Sequence, residues 1–131
     1  MMRLPSPLDD ETEATIEAII GCAIRVHREL GPGFLESIYR KALCLELVRS
    51  NIEFETEKAV VVRYLDVAVA THRIDLVVAG RVILELKSVI ALDAIHHAQL
   101  LSYLRATGLR VGLLMNFGAV TLRAGLRRIV L

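Results

Sequence analysis

Three ionisable side chains interrupt two neighbouring apolar runs in the middle of the chain. Asp75 precedes the first run, and Glu85 and Lys87 lie in the second run, which begins after Gly80. Apolar, β-branched runs separated in this way predict two paired strands. Burying ionisable groups in such a pair is costly unless something compensates, and a divalent cation between the carboxylates is one such compensation. The pattern therefore predicts a metal-dependent phosphodiesterase.

The donor types favour a hard cation, Mg²⁺ or Mn²⁺, because such ions prefer oxygen ligands. Asp75 and Glu85 would supply two carboxylates, and the backbone carbonyl of Leu86 a third oxygen. A metal of this kind polarises a phosphodiester and acidifies a bound water. Lys87 would orient or deprotonate that water, or neutralise the developing negative charge.

A salt bridge between Lys87 and either carboxylate is the alternative explanation of the same spacing. The spacing alone does not separate the two interpretations. Apolar residues on both sides of the Glu85-Leu86-Lys87 segment favour the metal site, since exposed strands seldom carry such flanks.

The site requires a particular strand register. Side chains alternate between the faces of a strand, so Glu85 and Lys87 share a face, and Asp75 must share it too. This holds when the connection has an odd number of residues, such as 79–81, with Gly80 as the left-handed residue. A strict two-residue turn would place Asp75 opposite Leu84 and point it away from Glu85.

The predicted elements form a single α/β domain. Residues 1–9 are expected to be a flexible N-terminal arm, and residues 10–131 one folded domain. Asp10 with Glu13 resembles a helix-capping pair. A last strand is expected over 120–130, broken at Gly125. The remaining pattern predicts helices over about 10–30, 35–49 and 94–106, and strands around 60–64 and over 68–78, 82–87 and 110–116.

Composition favours a cytoplasmic protein without a membrane segment. Hydrophobic residues make up 54% of the 131 residues, yet no uncharged apolar run reaches the ~18 residues of a membrane span. The N-terminus lacks the apolar region of a secretory signal. Cys22 and Cys44 have no CxxC spacing and are expected to be buried thiols. The net charge of +1 does not by itself indicate a nucleic-acid-binding protein.

The spacing of Asp75, Glu85 and Lys87 resembles the PD-(D/E)xK nuclease superfamily, whose core order is αβββαβ. The predicted elements from residue 35 to 116 resemble that order, with an extra N-terminal helix, so the resemblance implies a restriction-endonuclease-like fold. More specifically, Gly33, Glu36 and Tyr39 resemble the signature of the GxxExxY family, and the likeness extends from about residue 10 to the end. Ile74 stands where the superfamily's name has proline.

The resemblance also implies roles for residues outside the central segment. Glu36 would be the acidic residue of the first core helix and a further candidate metal ligand. Gln99 and Tyr103 resemble the QxxxY element of some nuclease branches, and they lie one helical turn apart on a shared face. Gln99, Tyr103 and Tyr39 are expected to support the site or contact substrate. For Tyr39, a packed aromatic ring whose hydroxyl finds a partner is the alternative.

Two classes of function follow. The first is a Mg²⁺- or Mn²⁺-dependent nuclease acting on nucleic acid, with DNA expected ahead of RNA. The second is a non-catalytic nucleic-acid- or protein-binding assembly module on the same fold, motivated by the high hydrophobicity. A homodimer is compatible with both, because two sites suit cleavage of a duplex. A phosphoesterase acting on a small nucleotide is a weaker third interpretation.

Overall fold

The computed structural model describes residues 6–131, which form three helices, a short 3₁₀ turn and one sheet. The elements in chain order are α1 (Asp10–Leu30), α2 (Glu36–Arg49), β1 (Phe54–Tyr64), β2 (Val67–Val78), β3 (Val82–Lys87), α3 (Ala94–Thr107), β4 (Val111–Asn116), η1 (Arg123–Gly125) and β5 (Leu126–Val130).

The five strands form one mixed sheet in the order β1-β2-β3-β4-β5. Only β3 and β4 run parallel, because α3 carries the chain back between them. The other neighbouring pairs are antiparallel. This confirms the prediction of a single mixed α/β layer with flanking helices.

The sheet has an apolar layer on each face. On one face, α1 and α2 cover β3 residues such as Leu84 and Leu86. On the other face, Leu100 and Leu104 of α3 pack over Ile83 of β3. The alternation of Ile83 and Leu84 between the two layers explains why β3 reads as a continuous apolar run. No helix within residues 6–131 combines the length and the apolar character that a bilayer crossing requires.

The start of α1 differs from the expected cap. Asp9, rather than Asp10 with Glu13, is the N-cap, and its carboxylate accepts the Thr12 backbone N–H at 2.7 Å. Leu8, just before it, is buried in the core. The predicted flexible arm falls partly on residues 1–5, which lie outside the described residues, and its boundary stays a prediction.

The expected last strand over 120–130 is wrong in its first half. Residues 123–125 form η1, and β5 begins only at Leu126. The chain must reverse after β4 before it can pair antiparallel with it. Gly125 lies so close to this reversal that an added Cβ would come within 2.3 Å of the Asn116 carbonyl oxygen. The apolar residues around 120 therefore belong to a turn, although they match the composition of a strand.

The loop that follows β3 is held against the end of β4. The Asn116 side chain accepts the Val89 N–H at 3.0 Å and donates to the Val89 carbonyl oxygen at 2.9 Å. A Cβ added at Gly118 would approach that carbonyl oxygen to 2.3 Å. This close approach positions the backbone immediately after Lys87.

We expect Gly118→Ala to destabilise the protein by roughly 1–3 kcal/mol, because the new methyl group overlaps the backbone of Val89. Gly21→Ala is the matched control. Gly21 lies within α1, and its added Cβ would meet nothing closer than 3.7 Å. Alanine there should stabilise the helix by up to about 1 kcal/mol. Urea denaturation measures both changes, and equal stability of the two variants would contradict the close packing at Gly118.

Candidate active site

The connection between β2 and β3 has the predicted register. Val78 is opposite Val82, which leaves three residues between the strands. Gly80 adopts a left-handed conformation with φ +62°, as expected, and Ala79 before it also has a positive φ of +52°. Continued along the strands, this register places Asp75 opposite Glu85.

Strand β2 is distorted at Asp75. Ile74 and Val77 both pack in the layer under α3, although side chains three residues apart on a straight strand point to opposite faces. Regular pairing with β3 ends at Leu76 and Leu84. On the other side of β2, Glu57 has a positive φ of +49° where the β1 ladder skips Asp75. The three observations locate the distortion at Asp75, one of the two predicted carboxylate ligands.

Beside Asp75, hydrogen bonds to carboxylates replace the backbone-to-backbone hydrogen bonds between β2 and β3. The Leu86 N–H donates to Asp75 Oδ2 at 2.8 Å, and the Asp75 N–H donates to Glu85 Oε1 at 3.2 Å. Each strand thus binds the acidic side chain of the other. We call this arrangement of Asp75 and Glu85 the crossed carboxylate pair.

Burial strongly affects the protonation of Glu85. Its side chain is almost inaccessible, with 6% relative exposure. Burial, and next the negative charge of Asp75, raise the pKa of the Glu85 carboxyl from 4.5 to about 8. Lys87 lowers this pKa and Glu36 raises it, so both lie within electrostatic range. At neutral pH, Glu85 therefore holds a proton that a bound cation would displace.

The carbonyl of Leu86 lies on the side of β3 that faces β2. Along a strand, the N–H and C=O of one residue point to the same side, and successive residues point to opposite sides. The Lys87 carbonyl accepts the Phe117 N–H from the β4 side at 2.8 Å. The Leu86 carbonyl therefore points toward β2, as its N–H does when it donates to Asp75.

These oxygens fit a hard divalent cation. Asp75 and Glu85 each commit one oxygen to a backbone N–H, so the candidate metal ligands are the second oxygen of Glu85 and Asp75 Oδ1, which also lies 3.8 Å from the Arg40 guanidinium. With the Leu86 carbonyl they form an oxygen-only set, which Mg²⁺ or Mn²⁺ completes with water. No three His, Cys, Asp or Glu side chains within residues 6–131 are grouped closely enough to hold a metal. Glu36 therefore does not turn the pair into a three-carboxylate cluster.

Arg40 is a participant that sequence reasoning missed. Its guanidinium lies 3.8 Å from Asp75 Oδ1 and 3.5 Å from Glu57 Oε1, so it links α2 to β2 and to β1 at the distortion. The available signal was its position four residues after Glu36, since residues with this spacing share a helix face. Among the described residues, Lys87 forms no salt bridge with either carboxylate, although its charge lowers the pKa of Glu85.

Gln99 and Tyr103 lie together on the inner face of α3. Tyr103 is buried. Burial, and then the charges of Glu85 and Asp75, raise the pKa of the Tyr103 hydroxyl, while Gln99 opposes that rise. The pair therefore borders the crossed carboxylates from the α3 side.

Tyr39 holds the loop between α1 and α2. It is fully buried and stacks on Phe117 at 4.6 Å between ring centroids. Its hydroxyl donates to the Gly31 carbonyl at 2.5 Å and accepts the Phe34 N–H at 3.1 Å. This geometry gives Tyr39 a supporting position and no surface for substrate. Glu36 follows the loop as the first residue of α2 and is exposed.

The comparison with family models identifies the class of protein that this fold and site define. The model of the PD-(D/E)XK nuclease superfamily matches residues 13–129. The chain belongs to this superfamily, and its mixed five-stranded sheet with flanking helices is a restriction-endonuclease-like fold. No curated protein and no solved structure matches the chain significantly.

The raised pKa of Glu85 predicts a pH-dependent stability in metal-free protein. The folded state binds the Glu85 proton more tightly than the unfolded state does. The resulting stabilisation of the folded state is fully present below about pH 4.5 and is lost as pH rises toward about 8. The slope contributed by one group is at most about 1.4 kcal/mol per pH unit. Urea unfolding with a chelator should therefore give a flatter pH profile for Glu85→Gln than for wild type.

Glu29→Gln serves as the control for that measurement. Glu29 is an exposed glutamate near the end of α1, and its replacement should leave the wild-type profile unchanged. A Glu85→Gln profile that is parallel to wild type would mean that Glu85 titrates normally in the folded protein.

Proposed function

We propose that this protein is a divalent-metal-dependent nuclease that hydrolyses nucleic-acid phosphodiester bonds. The observation that carries the proposal is the crossed carboxylate pair, in which Asp75 and the buried Glu85 meet beside the Leu86 carbonyl. A cation would stabilise the charged form of the buried Glu85 carboxyl, which burial and the neighbouring Asp75 disfavour. Membership of the nuclease superfamily supports the same conclusion.

The residues of the chain would divide the chemistry between them. Asp75, Glu85 and the Leu86 carbonyl would hold Mg²⁺ or Mn²⁺, which polarises the phosphodiester and acidifies water when bound. Lys87 lies on the same strand face as Glu85 and would orient or deprotonate the attacking water. The water oxygen bonds to phosphorus, one phosphorus–oxygen ester bond breaks, and the leaving oxygen gains a proton.

We further propose that the chain is a GxxExxY protein within the superfamily. Gly33 has a φ of +116°, and the hydroxyl of Tyr39 holds the loop that contains it. The conformation of this loop therefore explains why the signature has glycine and tyrosine at these two positions. Glu36 follows at the start of α2, where it would act in the outer region of the site, and its negative charge reaches Glu85. Gln99 and Tyr103 would support the site from α3.

The substrate and setting are part of the same proposal. DNA is proposed ahead of RNA as the nucleic acid. A cytoplasmic location is supported by the two free cysteines, because unpaired thiols suit a reducing compartment. Cys22 is buried as expected, whereas Cys44 is only half-buried.

A projecting ribbon favours the second candidate, an assembly module, and also a homodimer. The ribbon comprises residues 61–69 of the β1–β2 hairpin, where Tyr64, Leu65 and Val67 are 61–81% exposed. A two-stranded ribbon has little stability of its own, and an exposed apolar edge tends to pair with another chain. Only Arg63 and Asp66 carry charge within it, so two copies could meet without net repulsion.

We expect calorimetry to detect Mn²⁺ binding to the wild type and at least a tenfold weaker affinity for Asp75→Asn. The substitution removes one ligand charge but keeps the side-chain size. Asp66→Asn is the matched control, because Asp66 lies at the exposed hairpin turn with φ +62°, a conformation that asparagine tolerates. Lys87→Ala should keep the affinity for Mn²⁺ while abolishing cleavage. Absence of Mn²⁺ binding by the wild type would favour the assembly module.

The homodimer has a separate test. Sedimentation velocity over a range of concentrations should show a wild-type dimer, and Val67→Lys should shift it to monomer by placing like charges in the ribbon contact. Val48→Lys is the control, since Val48 is similarly exposed on α2, away from the ribbon. A wild type that stays monomeric at every concentration would rule out this assembly.

A further inference from the structure

Asp75 is flanked by a glutamate on each neighbouring strand. On the β3 side, it exchanges hydrogen bonds with Glu85 in the crossed carboxylate pair. On the β1 side, the strand register before and after it leaves Glu57 opposite Asp75 at the same level of the sheet. Like charges that lie directly opposite on neighbouring strands destabilise a sheet. A positive charge at this level would relieve the repulsion between Asp75 and Glu57.

The Arg40 guanidinium supplies that charge and divides it between the two carboxylates. Its Nη1 lies 3.8 Å from Asp75 Oδ1, and its Nη2 lies 3.5 Å from Glu57 Oε1. The planar guanidinium can face two acceptors at once because its donors are fixed in a fork. The Asp75 side chain is 23% exposed and that of Glu57 is 55% exposed. Arg40 is therefore held between an inner and an outer carboxylate.

Asp75 Oδ1 is also the oxygen of this residue that a metal ion would bind. Oδ2 of the same carboxylate already accepts the Leu86 N–H at 2.8 Å. A divalent cation on Oδ1 and the Arg40 guanidinium beside it would repel each other, because both are positively charged and compete for one oxygen. Metal binding at Asp75 therefore requires the guanidinium to move away from it.

The structure gives the guanidinium a second position. Arg40 and Glu57 both line a surface cavity of about 420 Å³ between α2 and β1, and Asp75 is not part of its lining. The guanidinium can shift toward Glu57 on the side of this open space without repacking of the core. Glu57 also has a positive φ of +49°, a conformation that is costly for a residue other than glycine and is concentrated at functional sites. Glu57 is therefore placed to receive Arg40.

We propose that Arg40 is the internal counter-ion of Asp75 and that a divalent cation displaces it onto Glu57, so that this exchange sets the affinity of the site for metal. The inference rests on the proposed nuclease function, because it concerns the same Asp75 ligand. Arg40 is a positioning residue, since it acts through the Asp75 carboxylate. The exchange keeps Asp75 compensated by a positive charge both with and without metal.

Calorimetric titration of the full chain with Mn²⁺ tests the exchange. Arg40→Gln removes the competing charge, so Mn²⁺ should bind this variant about fivefold or more tightly than the wild type. Glu57→Gln removes the outer partner and leaves Arg40 on Asp75, so Mn²⁺ should bind about threefold or more weakly. If Arg40 only held Asp75 in place, Arg40→Gln would weaken Mn²⁺ binding. Weaker or unchanged binding by Arg40→Gln would therefore overturn the proposal.

The double variant separates the exchange from a simple change in net charge. If Glu57 acts by receiving Arg40, Glu57→Gln should have a smaller effect on Mn²⁺ affinity in the Arg40→Gln background than in the wild type. Equal effects in the two backgrounds would overturn the transfer of Arg40 to Glu57.

Arg49→Gln and Glu53→Gln are the matched controls. Each makes the same change of charge at an exposed position that forms no ion pair with Asp75, Glu57 or Arg40. Because solvent and salt screen exposed charges, both controls should bind Mn²⁺ within about twofold of the wild type.

DNA cleavage by the same variants distinguishes failure of the exchange from failure of the nuclease function. If the wild type binds Mn²⁺ and Arg40→Gln binds it no more tightly, the exchange is wrong and the metal site stands. If the affinities change as expected but neither single-stranded nor duplex DNA is hydrolysed, the exchange stands and the nuclease function is wrong. If neither the wild type nor any variant binds Mn²⁺, the metal site and the exchange are both wrong.

Discussion

The central constraint in this protein is the exchange of hydrogen bonds between Asp75 and Glu85 across β2 and β3. Where the backbone ladder between these strands would continue, the Asp75 N–H donates to the Glu85 carboxylate and the Leu86 N–H donates to the Asp75 carboxylate. The carboxylates satisfy donors that the strand distortion would otherwise leave unpaired, and those donors hold the carboxylates in one geometry. Structure and chemistry therefore depend on the same two bonds.

This exchange determines the electrostatics of the site. Because Glu85 is buried under α3 and next to Asp75, it retains its proton well above the usual range. A cation would replace that proton and restore the negative charge of Glu85, so metal binding and proton release are linked. Arg40 from α2 and Tyr103 from α3 approach from the two helical layers. The site therefore lies within the sheet, and each helical layer contributes a side chain that approaches it.

Much of the fold follows from local patterns, and the failures have local reasons. The helices and central strands were predictable because their apolar spacing is regular. The odd-numbered connection at Gly80 was predictable because the site needs both carboxylates on one face. The predicted start of β5 was wrong because the reversing turn around Gly125 has the amino-acid composition of a strand. The predicted N-cap of α1 was wrong by one residue, since the adjacent Asp9 and Asp10 offer the same carboxylate acceptor for a backbone N–H.

The sequence by itself determined the candidate residues Asp75, Glu85 and Lys87, since their spacing and apolar surroundings are local properties of the chain. Only the tertiary structure decided how the carboxylates are held. The distortion of β2 requires β1 and β3 on either side, and the Arg40 contact requires α2 to pack across the sheet. The hydrogen bond from the Ser88 hydroxyl to the Phe34 carbonyl joins segments separated by more than fifty residues. Such relations depend on which elements meet in space, and no short-range pattern in the chain encodes them.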